Sequence, residues 1–262
     1  MGNKVNRLCS NCFSSTEEEP ESQEMQYSLL QDNPRESSTA QSNSSFGSTT
    51  KDTEYLLRLI ESASLTFYNH LKQPLQEEGM EEMVNKEGFR IFASDLPEGY
   101  FIKASWKMPF TAEEFLDFIQ NTELRRTWDK NIERMEVISE PLPEIVVSYT
   151  KFKKLLVMSP RDCVLASKIL KIHNGVLMVN TSCEHSDYPE CKDPIRAKID
   201  VGGYYIEPIE EDEEGNKSKV VNITIGNFGG SVPKAMVKKV TANSIPKHIK
   251  TIHAELKKHL TN

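Results

Sequence analysis

The chain has 262 residues, a formal net charge of −7 and a hydrophobic content of 37%, which suits one large globular domain or two small ones. The acidic balance argues against a basic nucleic-acid-binding surface, and we expect no nucleic-acid partner. Every apolar run is shorter than the roughly 18 residues that a membrane-spanning helix needs. Five cysteines without a secretory signal pattern predict reduced thiols in a cytoplasmic protein.

The first thirteen residues, MGNKVNRLCSNCF, carry features of a lipidation site. Removal of the initiator methionine would expose Gly2 for N-myristoylation, although Asn6 stands where that pattern has Ser or Thr. Cys9 and Cys12 are close enough to Gly2 for palmitoylation, and stable anchoring needs a second acyl signal of this kind. The two alternatives are an acylated anchor on the cytoplasmic face of a membrane and an unmodified tail. The single C-x-x-C lacks a second pair at zinc spacing, so no metal site is expected.

Composition divides the chain into a tail and a domain. Residues 14–50 are rich in Ser, Thr, Glu, Gln and Asn and cannot bury enough apolar surface to offset the entropy of ordering. We therefore assign residues 1–51 to a disordered tail and residues 52–262 to the folded domain.

From Glu54 onwards the pattern predicts regular structure. EYLLRLIESASLTFYNHLK has apolar residues at helical spacing, which predicts a helix that ends before Pro74. Alternation on either side of Asp95–Gly99 predicts a hairpin, and a capping box at Thr111–Glu114 predicts the start of a short helix. Helices combined with antiparallel strands make an α+β domain. Further strands are predicted over residues 132–140, 144–154, 162–173, 175–185, 195–209 and 219–227.

Residues 227–262 predict a long amphipathic helix that begins near Pro233. One face is apolar, and the opposite face carries seven lysines with Glu255 as its only acid. Pro246 lies inside the pattern, which predicts a kink or two abutting helices near Ser244. Such a helix can close a cavity or lie on an anionic membrane. The alternative is a solvated lysine face on a packed helix.

Four motifs occur in a fixed order: RRTWD at 125–129, MSPRD at 158–162, IRAKIDVGGYYIEP at 195–208 and GNFGGSVPKAMV at 226–237. Together they resemble the START family of lipid-transfer domains, and its phosphatidylcholine-transfer-protein-like members in particular. The resemblance implies a helix-grip fold, in which a curved antiparallel sheet surrounds a hydrophobic tunnel and the long C-terminal helix forms a lid. It also implies a lipid ligand and no cofactor, and we expect a monomer.

The resemblance further implies lipid-binding residues. Arg125 and Asp129 match positions that meet the phosphate and neighbouring groups in phospholipid-binding relatives, and arginine suits phosphate because of its planar donor fork. The alternative is a structural ion pair at the surface. Thr150 and Cys163 stand where the choline-binding relative has aromatic rings, so a choline box is not expected. Tyr204, in the third motif, completes the predicted set.

The ligand is left open among several lipids. Sterol-binding relatives hold a buried acid and an arginine where this chain has Ser148 and Ser167, so the sterol pair is missing as well. A phospholipid is favoured, and a ceramide or a sterol held by hydroxyl groups are the alternatives.

A membrane-docking surface is predicted from two basic segments. In KFKKLLVMSPRD at 151–162, lysines precede apolar residues, which suits insertion into an anionic interface, with a buried strand end as the alternative. Arg161 and Asp162 are expected to form a structural ion pair. The predicted docking residues are Lys153, Lys154, Leu155, Leu156, Lys238, Lys239 and Lys247.

These features predict a non-enzymatic lipid carrier or sensor that works at membranes. The first alternative is a membrane-tethered signalling adaptor whose START-like domain carries no lipid. The second is a hydrolase or isomerase that uses the same cavity, with Cys183 and His185 at alternate positions of one strand as its candidate pair.

Overall fold

The computed structural model describes residues 50–142, 144–154, 159–230 and 232–261. The predicted tail, including Gly2, Cys9 and Cys12, lies outside these ranges, and so do Leu155 and Leu156. No helix in the described ranges is both long and apolar enough to cross a bilayer. The helices are α1 (Thr50–Lys72), α2 (Ala112–Gln120), α3 (Thr122–Trp128) and α4 (Lys234–Thr261). The strands are β1 (Glu81–Lys86), β2 (Phe89–Leu96), β3 (Gly99–Met108), β4 (Ile132–Leu142), β5 (Ile145–Phe152), β6 (Arg161–Ile172), β7 (Gly175–Ser182), β8 (Ile195–Arg196), β9 (Lys198–Pro208) and β10 (Ser218–Asn227).

The strands form one open sheet in the order β1-β2-β3-β10-β9-β7-β6-β5-β4. Every neighbouring pair in this order is antiparallel, and only the two-residue β8 runs parallel to its partner β6. The sheet together with its helices confirms the predicted α+β, START-like fold.

Local sequence explains most element boundaries. The capping box at the start of α2 is confirmed, since the Thr111 hydroxyl accepts from the Glu114 N–H and the Glu114 carboxylate accepts from the Thr111 N–H. The β2–β3 hairpin is also confirmed, with Leu96 opposite Gly99. Strand β1 was not predicted. Its sequence EEMVNK is mostly polar, and only Val84 is buried in it, so it lacks the alternation that marks a strand.

The sheet has two apolar faces, which we name by the helix that covers each. On the α1 face, α1 packs through Ile60 and Phe67 against strand side chains such as Val164, Leu177 and Tyr205. On the α4 face, helices α2, α3 and α4 pack against the alternate strand positions. Members of this second core include Ile91, Ala104, Trp106, Phe115, Ile252 and Leu256.

Helix α4 is continuous over 28 residues, with Pro246 inside it. The alternative of two abutting helices near Ser244 is therefore wrong. Proline removes one backbone N–H from the helical ladder, but here the ring is buried, and Ile249 and Ile252 continue the apolar stripe beyond it. Tertiary packing offsets the missing hydrogen bond and keeps the lid a single element.

Candidate functional site

The α4 face is incompletely filled over the central strands. Along β7, Leu177 and Val179 on the α1 face are fully buried, whereas Val176 and Met178 on the α4 face keep accessible surface. Ile169 of β6 is also only partly buried there. Helix α4 packs on β1, β2 and α2, towards the other edge of the sheet. The central strands therefore keep apolar surface on the α4 face that a ligand could cover.

An ion pair with a buried carboxylate lies against this face. The Asn121 side chain caps α3 by accepting from the Leu124 N–H, and Asp129 is the C-cap of the same short helix. Arg125 Nε lies 3.6 Å from Asp129 Oδ2, and the Asp129 side chain is 3% exposed. The Arg125 side chain is 26% exposed, so only the carboxylate is fully buried and the alternative of a structural ion pair stays open. Arg125 Nε is buried and has no hydrogen-bond partner among the described residues, so its donor capacity is not fully used.

Tyr204 lies beside this pair. Its ring packs edge-on against Trp106 and Phe115, with centroid distances of 6.3 and 5.5 Å. Burial raises the pKa of the Tyr204 phenol; the nearby Arg125 charge opposes this shift and Asp129 adds to it. The phenol therefore stays protonated and can donate a hydrogen bond next to the two charges.

Thr150 and Cys163 face each other on β5 and β6. They are register partners, and both alternate with α1-face core residues, Tyr149 and Val164, so they point to the α4 face. Burial raises the pKa of the Cys163 thiol to about 12, and Arg125 acts against the shift. The structure thus brings Thr150, Cys163 and Tyr204 to the same face as the ion pair. The two strand positions remain small and non-aromatic.

Two serines at the sterol-type positions also belong to the α4 face. Ser148 alternates with the core residue Val147, and Ser167 lies opposite Val146 of β5 and Asn180 of β7. Ser148, Ser167 and Asn180 are partly buried. They supply uncharged hydrogen-bond donors and acceptors on the sheet side of the candidate lipid site.

Sequence reasoning missed His248 on the lid. Its ring lies 5.9 Å from that of Trp128, and burial lowers its pKa, with Asp129 opposing the shift and Arg125 reinforcing it. The sequence pattern could have indicated this residue, because residue 248 lies next to Ile245 and Ile249 of the apolar stripe. A neutral imidazole from α4 therefore joins the polar cluster.

Comparison with known proteins identifies the family of the chain. The START domain model matches residues 73–261, which is most of the chain. The chain belongs to the START-domain family. Mouse ceramide transfer protein is 23% identical over 205 residues, which cover 70% of this chain and 33% of that protein. The chain therefore spans about a third of the length of this relative.

Two further START proteins are similar. Human START domain-containing protein 10 is 27% identical over 143 residues, which cover 54% of this chain and 47% of that protein. The structure of human StAR-related lipid transfer protein 5 matches with a TM-score of 0.69 and 18% identity, over 79% of this chain and 99% of that one. The structural likeness supports the fold of the START domain.

One end of the START-domain sheet brings together the two basic segments. The end of β5 and the start of β6 meet there, and Arg161 of β6 donates to the carbonyls of Phe228 and Gly229, at 3.2 and 3.1 Å, just before α4. Gly229 and Gly230 have φ values of 71° and 65°, a left-handed conformation that favours glycine. The segment that leads towards α4 is thereby placed next to the start of β6.

The predicted Arg161–Asp162 ion pair is wrong. Asp162 pairs instead with Arg196 of β8, with 2.8 Å between Oδ1 and Nε and 3.1 Å between Oδ2 and Nη2. Asp162 and Arg161 are neighbours on one strand, so their side chains point to opposite faces. The predicted structural role survives for both residues, but with other partners.

The predicted docking lysines differ in their surroundings. Lys153 and Lys154 are exposed at the end of β5, and Lys239 and Lys247 are exposed on α4. Lys238 forms an ion pair with Glu81 of β1 at 2.6 Å. On the same helix Lys250 pairs with Glu87 and Lys258 with Glu255, so part of the basic face of the lid is neutralised by the protein itself.

Cys183 and His185 do not lie in the candidate lipid site. Strand β7 ends at Ser182, so both residues belong to the following loop, and Cys183 packs in the core of the α1 face. Burial raises the pKa of the Cys183 thiol to about 11, which disfavours the nucleophilic thiolate. The structure therefore separates this candidate pair from the candidate lipid site.

Proposed function

We propose that this START domain binds one lipid between the α4 face of its sheet and the lid, and carries or senses that lipid at membranes without a catalytic step. The observation that supports this most is the partly accessible apolar surface of central strands beneath the lid, next to an ion pair with a buried carboxylate. Apolar tails favour such a surface by about 0.8 kcal/mol per buried CH₂ relative to water. The names of the similar proteins also refer to lipid transfer.

A zwitterionic phospholipid fits the polar cluster best. Arg125 has an unused buried donor for a phosphate oxygen, and the Tyr204 hydroxyl can donate beside it. The Asp129 carboxylate suits an ammonium group. Thr150 and Cys163 offer no ring face for a quaternary amine, so we favour a primary-amine headgroup over choline.

Ceramide is the second candidate. Ser148, Ser167 and Asn180 provide neutral groups on the α4 face that match the hydroxyl and amide groups of a ceramide. The similarity to mouse ceramide transfer protein supports this alternative.

We further propose that the end of the sheet with Lys153 and Lys154 docks on an anionic membrane, together with Lys239 near the start of the lid. The exposure of these three lysines supports the proposal, whereas the predicted docking residue Lys247 lies close to Lys250 and its partner Glu87, at the other end of the sheet. Their attraction to anionic lipids is on the order of 1 kcal/mol per residue near the surface. Acylation at Gly2, Cys9 and Cys12 would hold the protein on the cytoplasmic face of that membrane.

Arg125→Ala tests the headgroup assignment. We expect transfer of a fluorescent phospholipid between vesicles to fall about 10- to 150-fold, because a hydrogen bond to a charged group contributes about 1.5–3 kcal/mol. Arg126→Ala is the matched control. Arg126 is the next residue of α3, is 51% exposed and pairs only with Glu123 among the described residues, so its removal should leave transfer unchanged.

Transfer measurements on these variants also distinguish a phospholipid ligand from a ceramide. If ceramide transfer persists in Arg125→Ala and falls in Ser148→Ala or Ser167→Ala, the second candidate is correct. Mass spectrometry of lipid extracted from the purified full chain provides the direct check. A folded protein that holds no lipid and transfers none would contradict the carrier proposal and favour the signalling adaptor.

A further inference from the structure

A groove on the α1 face is separate from the candidate lipid site. Its volume is about 1370 Å³, and it runs between α1 and the sheet with residues 183–190 along one side. Leu59 forms part of the α1 wall, and Val164 and Val201 form part of the floor. Both valines are core residues of the α1 face, on the opposite side of the sheet from Tyr204. The α1 groove is thus a second cavity that the lipid site does not use.

The groove combines an apolar floor with an acidic rim. Five acidic side chains line it against only two basic ones, Arg196 and Lys198. Arg196 is paired with Asp162, and Lys198 lies 3.1 Å from Glu190, so neither offers a free positive charge to a ligand. The net charge of the rim therefore favours a basic, partly apolar occupant. The acidic residues are Asp52, Glu184, Asp187, Glu190 and Asp200.

We propose that residues 2–13 of the same chain, here named the tip segment, bind in the α1 groove. The tip segment is basic, with Lys4 and Arg7 and no acidic residue. Its apolar residues recur at spacings of three and four, which is typical of an amphipathic helix with one apolar stripe. They are Val5, Leu8, Cys9, Cys12 and Phe13.

The other apolar stretch of the tail fits the groove less well. MQYSLL at 25–30 is flanked by Glu21, Glu24 and Asp32. These carboxylates would meet the acidic rim, and like charges at close range are repulsive. Charge complementarity therefore selects the tip segment.

Length and attachment point also fit. Helix α1 begins at Thr50, and its first turns line the groove, so the tail joins the domain at the groove itself. The α1 wall between Asp52 and Thr66 is about 21 Å long, whereas residues 5–13 in a helix span only about 14 Å. A flexible chain of 37 residues, the separation between Phe13 and Thr50, would have an r.m.s. span of roughly 33 Å, which is long enough for the tip segment to reach the groove.

Docking would regulate membrane attachment. Gly2, Cys9 and Cys12 lie in the tip segment, so a groove-bound tip withholds the proposed acylation sites from a bilayer. The tip segment would meet the α1 groove at an effective concentration on the order of millimolar. Because an amphipathic segment also binds a membrane interface, the groove and the membrane would compete for it. The groove and the membrane thus become alternative sites for one segment.

Hydrogen–deuterium exchange on the full, unacylated chain tests the proposal. We expect amides of residues 2–13 to exchange about tenfold or more slowly than in a free peptide of the same sequence. Ser62→Trp should restore the free-peptide rate, because exposed Ser62 lines the groove and a tryptophan there would fill it. Glu61→Trp is the matched control. Glu61 is the exposed neighbour outside the groove lining, so protection should persist.

Disulfide mapping after mild oxidation locates the docked tip independently. Cys183 lines the groove and is buried, whereas Cys191 is exposed nearby. If the docked tip holds Cys9 or Cys12 beside Cys183, slow cross-links to this protonated thiol should form, and they should disappear in Ser62→Trp. A tail that meets the domain only by random collision would react with the exposed Cys191 instead.

Three results would overturn the proposal. The first is exchange of residues 2–13 at the free-peptide rate in the wild-type chain. The second is protection that survives both Ser62→Trp and Thr66→Trp, since Thr66 also lines the groove. The third is protection that appears only when anionic vesicles are added, which would assign the tip segment to the membrane alone. None of these readouts depends on lipid transfer.

Discussion

At the scale of single residues, burial decides which groups carry charge. The polar cluster beneath the lid holds one positive and one negative side chain, Arg125 and Asp129, while burial keeps Tyr204 and Cys163 protonated and disfavours the charged form of His248. Paired charges surrounded by neutral donors suit a zwitterionic or neutral headgroup, because a net buried charge would need a counter-ion. The same effect makes a histidine further along the lid sensitive to pH.

His253 should make the stability of the fold depend on pH. Its Nε2 is buried without a hydrogen-bond partner among the described residues, its ring lies 5.7 Å from Phe110, and burial lowers its pKa to about 4 from 6.5. The unfolded chain therefore binds this proton first, so stability falls as the pH drops from about 6.5 to 4 and is fully present above that window. The loss is at most about 3 kcal/mol.

Urea unfolding at a series of pH values checks this. In His253→Phe the free energy of unfolding should change less between pH 6.5 and pH 4 than in the wild type. His259→Phe alters an exposed histidine of the same helix and should keep the wild-type slope. An unchanged slope in His253→Phe would show that other groups cause the pH dependence.

At the scale of elements, a buried lysine fixes α1 to the sheet. Lys103 of β3 is 1% exposed, and its Nζ donates to the carbonyls of Gln73 and Pro74, at 3.2 and 3.0 Å, and to Glu77 at 2.8 Å. It also donates to the carbonyl of His70 in the last turn of the helix. A cation at this end satisfies carbonyls that have no partner within the helix and complements the helix dipole.

Lys103→Met should therefore destabilise the fold by about 3–5 kcal/mol, because it keeps the packing but leaves several carbonyls without their donor and leaves the partly buried Glu77 carboxylate with His70 as its remaining partner. Lys107→Met on the same strand is the control. Lys107 is exposed and pairs with Asp212 at 2.9 Å, so its loss should change stability far less. The midpoint of urea unfolding measures both. Equal effects of the two substitutions would contradict the role of Lys103.

For the whole molecule, the antiparallel topology places several functional segments at the same end of the sheet. The β5–β6 connection, the segment before α4 and the start of α1 all lie at the same end of the sheet, as the Arg161 contacts and the bond between Tyr55 and the Glu184 N–H show. Lys153, Lys154 and the attachment of the tail are therefore neighbours, whereas Lys247 lies one helical turn before Lys250, which pairs with Glu87 in the β1–β2 turn at the other end of the sheet. Residues near the start of β10 lie at the opposite end.

This arrangement predicts a directional membrane contact. Charge reversal of Lys153 and Lys154 to glutamate should weaken binding to anionic vesicles about 30-fold at low salt, since each lysine near the surface contributes about 1 kcal/mol. Lys217→Glu, at the opposite end of the sheet, is the control and should have a much smaller effect. Vesicle sedimentation measures both. Equal losses would indicate a contact driven by net charge rather than by this end.

Local sequence patterns were sufficient to predict most of the elements and the family. Helical and alternating periodicity, the capping box at Thr111 and the order of four motifs each depend on neighbours within a few residues, which a sequence displays directly. The spacing of four between Arg125 and Asp129 likewise placed both side chains on one side of α3. Strand β1 was missed because its polar sequence becomes a strand only through pairing with β2.

Long-range packing sets which side chains pair with each other and which face of the sheet they share. It paired Asp162 with Arg196 rather than Arg161, brought His248 of the lid into the polar cluster, and opened the α1 groove on the opposite side of the sheet. It also kept α4 whole across Pro246. These outcomes depend on contacts between residues far apart in the chain, whose burial and pairing are set by the packing of the whole sheet and leave no local pattern in the sequence.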